Sequence, residues 1–324
     1  MIRAQMRPPP GPGRRRLSPA VLAGLLTLAM GAAVAVPSAA TALGRCSVPP
    51  ARGGHAMHIV FQGRTRFVLV HVPAGIPTGR RVPLLLAFHG AGGNGGAMER
   101  YSGFSHQADL HRFIAAYPNA AGPTWNITAA RDQADDVTFV NDVIQTLEQG
   151  MCIDPHRIYA AGISNGGGMV ALLGCALSGE LAAIAPVSGI YDGQPSCRLK
   201  HPVSVLEIHG TADQIAPYFG TRTRASGGGL PPYVKSWVHR DGCSTNARAQ
   251  GIAARTTEYR WLGCAHDTVV EHVRILGGAH QWPGALPPDP GPASTICGAC
   301  TIWSFFSSLP EAASTYSGGS GLPG

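Results

Sequence analysis

One stretch near the middle of the chain constrains its fold more than any other. The apolar run Arg157-Ile158-Tyr159-Ala160-Ala161 passes without a break into Gly162-Ile163-Ser164-Asn165-Gly166, and from there into Gly167-Gly168-Met169 and a helical pattern. A strand that becomes a helix across so tight a turn has no room for side chains two residues either side of its central residue. Gly162 and Gly166 meet that demand, and the turn leaves the hydroxyl of Ser164 exposed at the start of a helix. The flanking sequence agrees with a mostly parallel sheet covered by helices, because short apolar or β-branched runs alternate with helical patterns. The expected strands are Phe67 to Val72, Leu84 to Phe88, Phe113 to Tyr117, Arg157 to Ala161, Ala182 to Pro186, Val203 to His209 and Val269 to Leu276. The expected helices are Asp136 to Glu148, Gly168 to Leu177, Tyr233 to Val238 and Thr301 to Ser308. With 44% hydrophobic and 13% charged residues, the chain is neither disordered nor fibrous.

A serine hydroxyl attacks a carbonyl only if a base takes its proton, and the base needs an acid to orient it. In this setting the expected chain order is serine, acid, histidine, with both partners on loops that follow later strands. The strand ending at His209 runs into Gly210-Thr211-Ala212-Asp213, and the strand ending at Leu276 runs into Gly277-Gly278-Ala279-His280. Asp213 and His280 are therefore the candidate acid and base, with Asp192 after the preceding strand as a rival acid. His266 and His272 lie before or within the last strand and read as structural. His89 and His209 each end a strand before a glycine and read as residues packed under the loops. An oxyanion would be held by the backbone amide of Asn165 and by one from the loop His89-Gly90-Ala91-Gly92-Gly93, with Ala91 favoured over Gly90. Trp282 and Tyr218, near the candidate base and acid, read either as a substrate rim or as plain packing. Only 16 residues, Val187 to Pro202, separate two successive core strands, which predicts an open site without a large lid. The loop regions Gly220 to Pro232 and Gly284 to Pro292, rich in Gly or Pro, would shape its edge.

The net charge is +7, but five arginines (Arg3, Arg7, Arg14, Arg15, Arg16) fall in the first 42 residues with no acid, leaving +2 for the remainder. A basic nucleic-acid surface is not expected. Those arginines precede an uncharged apolar stretch, Leu17 to Val36, and then Ala40-Thr41-Ala42, which reads as a signal peptide over residues 1–42; an uncleaved anchor is the alternative. A catalytic domain is expected over 43–310 and a flexible tail over 311–324. All eight cysteines follow the leader, which fits disulfides in an exported protein, secreted or in the cell envelope. Cys243 with Cys264 is the favoured pairing, and Cys297-Gly-Ala-Cys300 reads as a structural bridge.

Taken together, His89-Gly90, Gly162-Ile163-Ser164-Asn165-Gly166-Gly167, His209-Gly210-Thr211-Ala212-Asp213 and Gly278-Ala279-His280-Gln281-Trp282-Pro283-Gly284 resemble the secreted esterases grouped with polyhydroxybutyrate depolymerases and feruloyl or acetylxylan esterases. The resemblance runs from about Arg66 to Leu309. It implies an α/β-hydrolase fold with Ser164, Asp213 and His280 in the triad roles, and no metal or organic cofactor. The implied substrate is a short-chain, hydroxyalkanoate, feruloyl or acetyl ester, as a small molecule or linked to a polymer, cleaved through an acyl-enzyme. No nucleic acid, protein partner or stable membrane insertion after leader cleavage is implied. The chain lacks a recognisable substrate-binding module after Leu309, in contrast to multidomain polymer depolymerases. A cell-envelope acyltransferase with the same three residues is the alternative. A non-catalytic envelope binding protein would be expected to have a damaged triad, and all three candidates are intact.

Overall fold

Seven expected strands become ten in a computed structural model that describes residues 52–76, 79–219, 231–285 and 296–310. The leader, the tail and most of the two Gly/Pro-rich loops lie outside the described residues. In chain order the strands are β1 (Gly53–Phe61), β2 (Arg64–Val72), β3 (Val82–Phe88), β4 (Ile114–Pro118), β5 (Ile153–Ile163), β6 (Ala183–Val187), β7 (Ser204–Gly210), β8 (Arg248–Ala253), β9 (Thr256–Trp261) and β10 (Val270–Ile275). The helices are α1 (Gly95–Ser102), α2 (Phe104–His111), α3 (Asp136–Gly150), α4 (Asn165–Ala176), α5 (Pro232–Arg240) and α6 (Gly298–Ser308). One sheet takes all ten strands in the order β1-β2-β4-β3-β5-β6-β7-β10-β9-β8. The run from β4 to β10 is parallel, while β1, β2, β8 and β9 join antiparallel at the two sides. This is the α/β-hydrolase fold.

The central strands read as unbroken apolar runs because both of their faces are covered. Every residue of β3, β4, β6 and β7 is buried. Along β3, Leu84, Leu86 and Phe88 pack on one side with Phe139 of α3, Met169 of α4 and Trp237 of α5. Leu85 and Ala87 point to the other side, among Met98 of α1, Phe104 of α2 and Phe306 of α6. Stacked rings tie α6 down, Trp303 on Phe113 at 4.0 Å and Phe306 on Tyr159 at 4.5 Å. No helix among the described residues is long and apolar enough to cross a membrane.

Because β3, β5, β7 and β10 run parallel, the segments that follow them emerge at one edge of the sheet, where open α/β sheets carry their sites. The expected Cys243–Cys264 bridge is present, as are Cys175–Cys197 and Cys297–Cys300. Cys46 lies outside the described residues.

At the same edge, beside the end of β4, Arg66 of β2 makes a buried ion pair of 2.8 Å with Asp136 in the first turn of α3. Its guanidinium also lies 3.7 Å from the centre of the Phe139 ring. The second oxygen of Asp136 accepts the N–H of Asn126 at 2.9 Å, which anchors the segment leading into the site. Replacing Arg66 with Met leaves a buried carboxylate without its cation and is expected to cost about 3–5 kcal/mol in urea unfolding. Adding Asp136→Asn to that variant should recover part of the loss.

Candidate active site

Ser164 sits between β5 and α4 at φ 59° and ψ −123°, a left-handed backbone that a non-glycine residue adopts only under constraint, at about 1–3 kcal/mol. Three backbone hydrogen bonds impose it. The Ser164 N–H donates to Val187 O at 3.0 Å, and its carbonyl accepts from Gly168 N at 2.9 Å and Ile190 N at 3.1 Å. The glycines are required by contact: a Cβ on Gly162 would lie 2.7 Å from Gly166 O, and one on Gly166 would collide with the carbonyl oxygens of Phe88 and His89.

Asn165, the first residue of α4, is locked through its side chain. Its Oδ1 accepts from Trp125 N at 2.7 Å and its Nδ2 donates to Trp125 O at 3.2 Å. As the first N–H of the helix, its backbone amide has no acceptor within α4. Trp125 was not singled out from the sequence, although a lone indole in the polar loop Gly122-Pro123-Thr124-Trp125-Asn126 is the trace it left. It lies edge-on to Phe88, and its Nε1 donates to His89 O at 3.0 Å, so it braces the elbow and the loop after β3 together. Within that loop a Cβ on Gly90 would lie 3.4 Å from Ser164 Cβ, and the exposed Ala91 faces the same cavity as Ser164.

The loops after β7 and β10 are zipped together. Thr211 N donates to Ile275 O at 3.0 Å, Ala212 N to Gly278 O at 2.9 Å, and Gly277 N to Thr211 Oγ1 at 2.8 Å. This brings residues 67 positions apart into contact: His280 Nδ1 lies 2.8 Å from Asp213 Oδ2. The other oxygen of Asp213 accepts from Ile215 N at 2.9 Å and Ala216 N at 2.8 Å. Burial alone would raise the pKa of Asp213. Hydrogen bonds from His209, His280 and the Ala216 amide more than reverse this and hold the carboxyl well below the usual range.

Ser164, His280, Gly90 and Ala91 line a cavity of about 630 Å³, walled further by Met98, Arg100, Tyr101 and Ile215. Asp192 lines a neighbouring cavity of about 360 Å³ instead. Buried His89 lines the Ser164 cavity but is held by backbone: Nε2 receives the Ala120 N–H at 3.2 Å and Nδ1 lies 2.8 Å from Gly90 O. His272 is buried against Glu207, and His266 lies in a short turn, both away from that cavity. No group of three or more His, Cys, Asp or Glu among the described residues is disposed to hold a metal ion.

The rim reading of Trp282 and Tyr218 is corrected. Trp282 is 2% exposed, sits edge-on to Phe104 at 5.5 Å, and its backbone N–H donates to the Tyr101 hydroxyl at 3.0 Å. Tyr218 is 4% exposed, and its hydroxyl is 2.6 Å from His272 Nε2. Neither lines the cavity of Ser164. Both rings sit on loops that fold back over the sheet, where burying an aromatic side chain stabilises more than leaving it at a wet rim. The aromatic residue that does reach the cavity is Tyr101, from a short helix that the sequence pattern did not reveal.

No family model matches the chain. Feruloyl esterase B of Piromyces equi is 31% identical over 230 residues, 66% of this chain but only 42% of that protein's length. Probable feruloyl esterase C of Aspergillus oryzae is 30% identical over 251 residues, covering 74% of this chain and 83% of that protein. Among solved structures, the acetyl xylan esterase from Aspergillus awamori superposes with a TM-score of 0.56 at 13% identity, over 78% of this chain and 99% of that one.

A buried Trp282 makes a specific forecast. Trp282→Ala should cost about 3–5 kcal/mol of unfolding free energy and leave the KM of the folded enzyme for p-nitrophenyl acetate little changed. A raised KM at full stability would return this residue to the substrate rim.

Proposed function

We propose the following reaction for this chain, which belongs to the feruloyl/acetylxylan esterase family and is a carboxylic ester hydrolase. Ser164 Oγ attacks the ester carbonyl as His280 Nε2 takes its proton. Asp213 keeps the other imidazole nitrogen protonated and stabilises the imidazolium. The backbone amides of Asn165 and Ala91 hold the tetrahedral oxyanion. His280 then protonates the leaving alcohol, and water, activated by the same imidazole, releases the acid from the acyl-enzyme.

The observation that carries this reading is the 2.8 Å contact between Asp213 Oδ2 and Nδ1 of His280, which lines the same cavity as Ser164. An ionised carboxylate can only accept, so the hydrogen belongs on Nδ1 and the lone pair on Nε2 is left to act as the base. The cavity is bordered by exposed loop residues and suits an acetyl, feruloyl, hydroxyalkanoate or other short acyl group whose alcohol part extends into solvent. The leader composition and the disulfides Cys175–Cys197, Cys243–Cys264 and Cys297–Cys300 support export.

The test is a panel of p-nitrophenyl acetate, butyrate and palmitate, methyl ferulate and polyhydroxybutyrate, run beside Ser164→Ala. The variant should lose about 10⁴-fold or more in kcat with its fold intact, and the wild type should prefer the short and feruloyl esters. Unchanged hydrolysis by the variant overturns the nucleophile. Activity should fall on the acid side, where an imidazole takes up a second proton, while Asp213 stays ionised; a flat profile down to about pH 4 would count against the base. The exported protein should begin near residue 43 when its N-terminus is sequenced.

A further inference from the structure

Behind Asp213 lies a second histidine that the reaction above does not use. His209, in β7 and 3% exposed, places Nε2 2.8 Å from Ala216 O and Nδ1 2.7 Å from Glu207 Oε1. A backbone carbonyl can only accept, so Nε2 carries a hydrogen. One proton must lie in the 2.7 Å contact with Oε1, and Glu207 already accepts from His272 Nδ1 at 2.6 Å and from the Tyr191 hydroxyl at 3.3 Å, which favours its ionised form even though it is fully buried. Its carboxylate therefore also only accepts, and Nδ1 must carry a hydrogen as well. A ring with hydrogens on both nitrogens is a cation. The same Nε2 lies 3.3 Å from Asp213 Oδ2, the oxygen that faces His280.

We propose that His209 is a permanently protonated imidazolium, fixed by Glu207, that serves as the counter-charge of Asp213 and thereby sets the basicity of His280. This rests on the reading of Asp213 and His280 as the catalytic acid and base. His209 is a positioning residue: it acts only through the shared carboxylate.

His89 shows that burial beside a glycine does not by itself dictate this state. Its Nε2 receives a backbone N–H from Ala120 and so must keep its lone pair, leaving one hydrogen for the ring. Burial holds its pKa below the ordinary value. For His209, burial also pulls downward, but the Glu207 charge and the hydrogen bonds to Asp213, Glu207 and Ala216 O carry it up to about 10. His272 Nδ1, from β10, lies 2.6 Å from Glu207 Oε2 and Tyr191 Oη is 3.3 Å from Glu207 Oε1. Tyr218 approaches His209 edge-on, and Arg274, its neighbour in β10, holds its guanidinium over Tyr259. Asp192, Tyr233 and Arg240 line the cavity that His209 also borders.

The consequence is electrostatic. When His280 takes the serine proton, its new charge meets a carboxylate already shared with one imidazolium, so it is stabilised less than by an isolated Asp.

The test begins with the full-length wild type, ¹⁵N-labelled at histidine and followed by NMR between about pH 5 and about pH 9. The ring absent from the spectrum of His209→Gln, or displaced in Glu207→Gln if the first variant does not fold, should show both nitrogens protonated throughout. A His209 ring with one bare nitrogen near neutral pH overturns the proposal. The acid limb of kcat/KM should move upward by about one pH unit in His209→Gln, since the opposing cation is gone. A lower kcat with the limb unmoved would mean a merely structural role and would also overturn it. In Glu207→Gln the ring, no longer held by an anion, should titrate within the same range; a ring still doubly protonated there would reject Glu207 as its holder. Activity surviving Ser164→Ala would sink the triad reading instead, and the nitrogen spectrum of His209 would be untouched by that result.

Discussion

Backbone meets backbone where the first turn of α4 crosses the end of β3. With Gly166 against the carbonyls of Phe88 and His89, and Gly162 against Gly166 itself, no side chain separates the two segments. That approach leaves room for the turn in which three backbone hydrogen bonds hold Ser164 in its left-handed conformation, and it brings the loop after β3 beside the serine. Trp125 then secures the contact from below, joined to Asn165 by two hydrogen bonds and to His89 O by a third. Asp136, through Asn126, ties this brace to Arg66 beside the end of β4. The buried ion pair and the geometry of the elbow are thus parts of one connected framework.

The parallel strands were legible in the sequence because burial on both faces leaves long apolar runs, as in Leu84 to Phe88 and Val203 to His209. Of the outer strands only β2 was; β1, β8 and β9 were not. β1 alternates half-buried and exposed residues, and β8 is exposed along most of its length, so neither needs the apolar run that marks a strand. The residues Ser164, Asp213 and His280 could be picked out because glycine-rich turns after strands announce them, and the contact between His280 and Asp213 follows from parallel topology. For Trp282 and Tyr218 the structure favours packing over the rim, for a physical reason. Proximity in sequence to a site residue says nothing about which way a loop folds, and these loops turn inward to cover rings. Tyr101 and Arg100 reach the cavity from α1, whose eight residues carry too little periodicity to be recognised.

The same dipeptide, His-Gly at the end of a strand, appears after β3 and in β7 and reads alike in both places. Partners decide the difference. A single backbone N–H at one ring and a carbonyl plus a carboxylate at the other give opposite hydrogen inventories. Charge state in a buried site is therefore a property of the acceptors and donors that the fold delivers, which no local sequence pattern encodes.

The segment between β7 and β10 returns the chain to lie directly beside β7 after a long excursion through α5, β8 and β9. Asp213 begins that excursion and His280 follows its end, so their meeting waits on a closure that is slow for entropic reasons. Cys243–Cys264 cinches 21 residues of the detour and shortens the wandering path. The contact between Asp213 and His280 is in this way held by the cross-linked detour between them.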